Sequence, residues 1–421
     1  MTPEAIAVLR LRQTAARASV AKYDALLARA DEDDVLRHTF QFAGASRTNR
    51  WAGRGFQPQN LARTPKLLEP DGYLACATDA IRDDDLDTLD LMFGEPMDVL
   101  AGCVRSSLRA PDGYEWRVAD LASIESRVIG WVSKCERLNR VFAEDRDAYK
   151  DFATEFYGVP YDAVTKTQRT NSKPATLGAG FGLGGGDLVD GKRTGLWGYA
   201  EKMGIELTRE EARLSVTKFR EAYPEIPELW YAIDAAAARC VRTGATVEVN
   251  EFLRFERREP YLMLRLPSGR YIFYAQPALG TFWFAKHPVR GTIKPLGQDE
   301  KRAKRAEEKG WKTYSRVNLI YSGKPQNKPG WVRLPTRGAK VVENLVQSIA
   351  RDVLKEGMLA AAADGFDLRM TAHDEIVCLQ RVTDKVHTWQ RLAGIMSRPL
   401  PWAPGLLLGA AGWAAPFYKK D

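Results

Sequence analysis

The most constraining stretch of this chain is residues 366–380, FDLRMTAHDEIVCLQ. Two short apolar runs, LRMTA and IVCL, flank the polar triplet His373-Asp374-Glu375. Strand-length apolar runs broken by so short a polar segment fold most simply as a tight hairpin. Asp374 is therefore expected at a hairpin tip.

A second carboxylate has a comparable setting. Residues 116–133 (WRVADLASIESRVIGWVS) start as a strand and turn into a helix, which places Asp120 at the strand's end. Two carboxylates brought together from separate elements can share a pair of Mg²⁺ ions. Turns favour Asp in any case, so these two residues alone identify nothing.

The flanking chain reads as follows. Residues 4–29 have a helical period that no Pro or Gly interrupts, and the acid run 31–34 is a solvated exit from that helix. Residues 41–66, rich in Gly, Arg, Gln and Pro, suit an irregular functional loop. The Asp-rich stretch 79–90 reads as one exposed helical face. Residues 141–182 and 206–242 are helical by pattern. Short β-like runs such as YLMLRL and RYIFYA mark 243–335, within which 301–316 is basic and polar. Residues 340–363 are helical again, with Val342, Leu345, Val346, Ile349, Val353 and Leu354 on one face.

At 421 residues the chain is long for one hydrophobic core, and two or three domains or subdomains are expected. Lys and Arg outnumber Asp and Glu by 62 to 54, a net charge of +8, which suits a polyanionic partner. Cys76, Cys103, Cys135, Cys240 and Cys378 are dispersed and without a C-x-x-C pair, as free thiols in a reducing compartment would be. No stretch approaches the roughly 20 apolar residues of a membrane span. With no signal pattern at the N-terminus either, the expectation is a cytoplasmic protein with no membrane partner.

A third block gives the carboxylates a context. In RTNSKPATLGAGFG (169–182), Arg169, Lys173, Leu177 and Phe181 recur every fourth residue, one stripe of a helix. Two cations followed by two apolar residues suit a nucleoside triphosphate, phosphates at one end and sugar and base at the other. The glycines of 178–186 resemble a nucleotide-binding loop only superficially, since no strand precedes them. The near P-loop ending at Lys192 has Arg193 where a Mg²⁺-binding hydroxyl is needed.

Together the three blocks resemble family A DNA polymerases, particularly the bacteriophage branch related to bacterial DNA polymerase I. Motif A of that family, D-Y-S-Q-I-E-L-R, is matched by Asp120 through Ile124 to Glu125 and Arg127. Motif B, R-x3-K-x3-[FY]-x3-Y-G, is matched by Arg169, Lys173, Leu177, Phe181 and Gly182. Motif C is His373-Asp374-Glu375. Thr48, Arg50, Gln59 and Asn60 match a T-x-R with a downstream Q-N, and Gln347 a helix glutamine before motif C.

The resemblance implies an α+β, right-hand polymerase fold with an antiparallel-sheet palm and helical fingers, the thumb reduced or absent. Residues 1–40 would be a remnant of the thumb or palm entry, 41–140 and 336–421 the two parts of the palm, 141–265 the fingers and 266–335 a basic insertion. It implies DNA-templated addition of deoxynucleotides to a primer 3′-hydroxyl, with two Mg²⁺ ions (Mn²⁺ as a substitute) on Asp120, Asp374 and the Leu121 carbonyl. Arg169 and Lys173 would grip the triphosphate, with Lys173 protonating the pyrophosphate, and Leu177 and Phe181 would line the sugar and base. Glu125 would be the gate against a ribose 2′-hydroxyl. Arg50, Gln59, Asn60, Gln347 and His373 would contact primed DNA, and Glu375 would support the metal site from behind.

The departures are specific. Leu177, Phe181 and Leu121 replace aromatic residues usual in the family, and Pro174 inside the stripe implies a helix that begins there or kinks. Tyr149 stands at a fingers position often held by His. Only about 49 residues precede Arg50, too few for a full thumb or a proofreading exonuclease. The expectation is synthesis without editing in this chain, with a separate chain as a candidate source of thumb, exonuclease or processivity function. The rival readings are a non-catalytic or partner-dependent DNA-binding subunit and a single-subunit RNA polymerase, against which Glu125 argues.

Overall fold

The computed structural model describes residues 20–61, 64–68, 72–94, 96–189, 191–288, 293–325 and 330–419. The chain divides into two compact units. One comprises Met1–Ala122, Val353–Arg398 and Leu408–Asp421; the other comprises Ser123–Asp352 and Pro399–Leu407. Helices and antiparallel sheets are segregated along the chain, which is the α+β class expected.

The first unit is built on a four-stranded antiparallel sheet. Its order is Leu368–Ala372, Glu375–Arg381, Tyr114–Leu121, Ala410–Ala415. The hairpin of the first two strands is as the sequence pattern implies, with Ala372 opposite Glu375 and only His373 and Asp374 between them. Tyr114–Leu121 is central, and Val118 and Val377 pair across it in full burial with Tyr418. Burying each such valine contributes roughly 1.5–3 kcal/mol. A second core in this unit gathers Leu68, Ala77, Leu89, Phe93, Val99 and Cys103 from short helices.

Those helices correct the reading of 79–90 as one face. The chain forms Tyr73–Arg82 and Leu86–Phe93, broken at 83–85. Asp85 caps the second helix, accepting from the Thr88 amide at 2.9 Å, so one of the acids starts an element rather than decorating one. Of the helix expected over 4–29, Ala21–Leu27 is present, and residues 4–19 lie outside the described residues.

In the second unit the helical stretch 141–182 is interrupted. Ala148–Tyr157 ends at Gly158, and Lys166–Gly178 begins with a reciprocal capping box between Thr165 and Gln168. Pro174 lies inside this helix rather than at its start, so the Thr170 carbonyl lacks its regular backbone donor. The helix stops at Gly178 and continues as a tighter 3₁₀ turn, Ala179–Phe181. The glycines beyond it meet tight packing: a Cβ on Gly186, at φ 98°, would lie 1.8 Å from the Thr194 carbonyl oxygen. The region 206–242 likewise divides into Arg209–Ala222 and Glu225–Thr243 around Pro224.

Among the described residues, seven strands of this unit form one antiparallel sheet, from Val247–Glu248 to Val332–Thr336. Tyr261–Arg265 pairs along its length with Tyr271–Lys286, so the sheet runs straight across the boundary placed at 265/266. The basic and polar segment 301–316 is largely regular in structure. It contributes most of the helix Glu300–Glu308 and the start of the strand Lys312–Gly323.

Candidate functional site

In the first unit the carboxylates gather at one end of the four-stranded sheet. Asp120 faces Glu375 as a registered pair on adjacent strands, with Ala411 on its other side. One residue on, the Leu121 amide donates to the Asp374 carbonyl at 3.1 Å. Asp120 and Asp374 are half-buried; Leu121 and Glu375 are buried. The sequence separates these residues widely, and the sheet register brings them to one edge.

Glu375 is 2 % exposed and interacts with the hydroxyl of Tyr418. Burial, then the Glu375 charge, pushes the Tyr418 phenol up, so it stays a neutral donor. The Arg105 guanidinium lies 5.0 Å from the Tyr418 ring centre. Arg105 and Tyr418 escaped the sequence reading because nothing in a local pattern marks a residue that acts through a buried neighbour.

His373 occupies the first tip position of the hairpin at φ 60°, a left-handed conformation in which His is tolerated better than most residues. Its Nε2 donates to the Gln59 carbonyl at 3.0 Å. Gln59 and Asn60 lie on the 3₁₀ turn Pro58–Asn60, where the Gln59 side chain donates to the Trp51 carbonyl and Asn60 to Gln57. Arg50 closes a separate turn, its carbonyl accepting from the Ala45 amide. The loop 41–66 therefore meets the hairpin tip through Gln59.

The donor chemistry at the sheet end suits a hard cation, since two carboxylates and a backbone carbonyl offer only oxygen. Among the described residues no cluster of three or more His, Cys, Asp or Glu forms a metal cage. Mg²⁺ fits that donor set, because it takes one or two carboxylates and fills its shell with water and substrate phosphates.

In the second unit, Arg169, Lys173 and Leu177 lie half-buried along the helix Lys166–Gly178, while Ser172, Ala175 and Thr176 are buried. Phe181 is half-buried but falls on the 3₁₀ turn, so the four-residue stripe ends at Leu177. Both cations sit over the Tyr149 ring, at 5.3 Å for Arg169 and 5.8 Å for Lys173. Arg169 is held by the Asp147 carboxylate, with Nε at 2.7 Å and a terminal nitrogen at 2.5 Å. The same Asp147 caps the helix Ala148–Tyr157 through the Tyr149 and Lys150 amides.

Glu125 is half-buried in the first turn of the helix Ile124–Ser133. Burial first, and then the Glu125 charge, raises the phenol of Tyr199. Tyr149 is raised by burial and by Asp147. Tyr199 and Asp147 were also absent from the sequence reading: each lies outside the motif that supplies its partner. Gln347 is half-buried on the helix Gly338–Asp364 amid the buried Val346 and Ser348.

Known proteins bear on this arrangement. The model of DNA polymerase family A matches residues 99–249. The DNA polymerase of Bacillus phage SP02 is 33% identical over 416 residues, covering 98% of this chain and 57% of that protein. DNA polymerase I of Pseudomonas aeruginosa is 28% identical over 123 residues, 29% of this chain and 12% of that protein. The chain thus spans just over half the length of its phage relative. Among solved structures, the polymerase domain of Pol1 from M. smegmatis, in complex with DNA primer-template and dNTP, superposes with a TM-score of 0.54. That match covers 94% of this chain and 50% of the other at 16% identity, and it places the fold in the right-hand polymerase class.

Proposed function

We propose, on its likeness to the DNA polymerases of family A, that the chain is a DNA-directed DNA polymerase. Its substrates are a primed DNA template and deoxynucleoside triphosphates. The observation that carries this reading is the sheet register that sets Asp120 opposite Glu375 and ties Leu121 to Asp374. We read the unit with this sheet as the palm, and the unit with the helix Lys166–Gly178 as the fingers.

Asp120, Asp374 and the Leu121 carbonyl hold two Mg²⁺ ions in this reading. When bound, the ions supply activation of the primer 3′-hydroxyl and neutralisation of the leaving pyrophosphate. Glu375, buried behind them with Tyr418, keeps the sheet end in register. Arg169 and Lys173 bind the triphosphate, and Lys173 Nζ delivers a proton to the pyrophosphate. Leu177 and Phe181 line the sugar and base. Glu125 crowds a 2′-hydroxyl, with Tyr199 beside it. Arg50 and Gln347 contact minor-groove acceptors shared by all correct pairs, and Gln59, Asn60 and His373 contact the primer-template.

The described residues contain no helix long and apolar enough to cross a membrane. Given the phage relative, we place the protein in the cytoplasm of a bacterial host. Primer extension on a primed template with Mg²⁺, comparing dNTPs with rNTPs, tests the reading. Template-dependent extension with dNTPs is expected; no extension by the wild-type chain with any divalent metal would overturn it.

A further inference from the structure

Two long paired strands of the seven-stranded sheet present one covered face and one open face. Tyr271–Lys286 and Lys312–Gly323 run antiparallel, with Lys286 opposite Lys312, Phe284 opposite Tyr314 and Phe282 opposite Arg316. Strand alternation puts these six on the same face. The opposite face is covered by the helix Glu300–Glu308. There Ala303 packs on Ala285, with Trp283 and Trp311 against them, and Glu307 accepts from the Thr313 hydroxyl.

The open face is mainly basic, with the Asp234 carboxylate within electrostatic reach of Arg316. Lys286, Lys312 and Arg316 are exposed, and no carboxylate stands among the six paired residues. Like charges directly opposite each other destabilise an antiparallel pair. Among the described residues neither lysine has an ion-pair partner: the helix acids look elsewhere, Glu300 to Lys304 and Glu307 to Thr313. Beside the lysines, the Phe284 and Tyr314 rings stack with centres 5.3 Å apart and planes 16° apart. The Arg316 guanidinium lies 5.6 Å from the Tyr314 ring centre.

The geometry points to a binding surface for single-stranded DNA at this end of the strand pair. Phosphates sit on Lys286, Lys312 and Arg316, which relieves the opposed lysine charges, and a base stacks on the Phe284–Tyr314 pair. Charge complementarity selects a polyphosphate. The rings select a strand whose bases are unstacked, since a duplex has no free base face to offer them. The inference rests on the polymerase reading for the source of the strand, the unpaired template ahead of synthesis.

The test titrates the full chain into a labelled oligothymidylate of roughly 12–16 nucleotides, and separately into a blunt hairpin duplex, over a salt series. K286Q/K312Q is expected to flatten the log–log salt dependence for the single strand by about 1.4, two contacts at about 0.7 each, with the duplex slope unchanged. Tyr314→Leu is expected to weaken single-strand binding by roughly 5- to 100-fold. The lysine pair alters only exposed side chains, so it decides the matter even where the ring substitution disturbs folding. A wild-type single-strand slope in K286Q/K312Q overturns the proposal, and so does an equal loss on strand and duplex. Primer extension reads the parent hypothesis independently: if extension fails while oligothymidylate binding persists, the polymerase reading falls and the surface stands.

Discussion

The amide of Leu121 donates to the carbonyl of Asp374 at 3.1 Å, one residue beyond the pair in which Asp120 faces Glu375. That bond joins the last residue of a central strand to the tip of a hairpin. A slip of one residue in this register would turn Asp120 to the other face of the sheet. The spacing of the two aspartates is thus a property of the ladder, not of either side chain.

It follows that neutralising either aspartate should remove chemistry without disturbing the scaffold. Asp374→Asn and Asp120→Asn are each expected to lower the rate of nucleotide addition by about 10³-fold or more. Primer-template affinity and circular dichroism should be close to wild type. Rapid-quench kinetics beside an equilibrium binding assay would check this, and appreciable activity in Asp374→Asn would remove it from the metal site.

Arg169 serves two anions in the proposed cycle, Asp147 at 2.7 Å and the incoming triphosphate. Lysine keeps the charge but lacks the planar fork needed to meet both at once. Arg169→Lys should raise KM for dNTP by roughly 10-fold, as the loss of one charge-assisted hydrogen bond would. Steady-state titration of dNTP on a fixed primer-template measures it, and an unchanged KM would place Arg169 outside the triphosphate site.

Sugar selection should depend on Glu125 and its neighbour Tyr199. Glu125→Ala is expected to reduce the preference for dNTP over rNTP on the order of 10- to 100-fold, with Tyr199→Phe giving a smaller loss in the same direction. The ratio of kcat/KM values for the two nucleotides is the readout. An unaltered ratio in Glu125→Ala would end the gate assignment.

Stability should carry a pH signature from His387. Its Nδ1 lies 2.7 Å from an Asp384 oxygen and its Nε2 3.0 Å from the Asp364 carbonyl, two acceptors that only the doubly protonated ring satisfies together. The Asp384 carboxylate and then that carbonyl raise the imidazole above its ordinary 6.5. Its contribution is therefore complete below about pH 6.5 and is lost as pH climbs through the raised value. The His387 amide and ring hold Asp384 down at about 2, so its share is present above 3.8 and disappears only as pH falls through about 2. His387→Gln should lower the melting temperature by about 2 °C near pH 5.5 and by much less near pH 9, as calorimetry would reveal.

What could be read in the sequence was local. The hairpin at His373-Asp374 was visible because apolar runs bracket a polar tip, and the helical stretch from Arg169 to Leu177 because its stripe recurs every fourth residue. What escaped depends on tertiary context. Phe181 left the stripe because the glycines around it favour a tighter turn over a further α-helical one. The sheet crossing 265/266 was invisible since strand pairing is decided between segments, not within them. Asp147, Tyr199 and Tyr418 contribute through neighbours that the fold alone supplies.

The central strand Tyr114–Leu121 has its two sheet neighbours at Glu375–Arg381 and Ala410–Ala415, on the far side of the whole Ser123–Asp352 unit in sequence. During synthesis this strand emerges with both edges open and waits for partners that the ribosome has yet to make. Contacts so distant in sequence form late and slowly, and an unpaired strand is a site for wrong associations in the interval. The carboxylate cluster is therefore among the last features of the protein to exist, and its assembly depends on how the nascent chain is shielded until then.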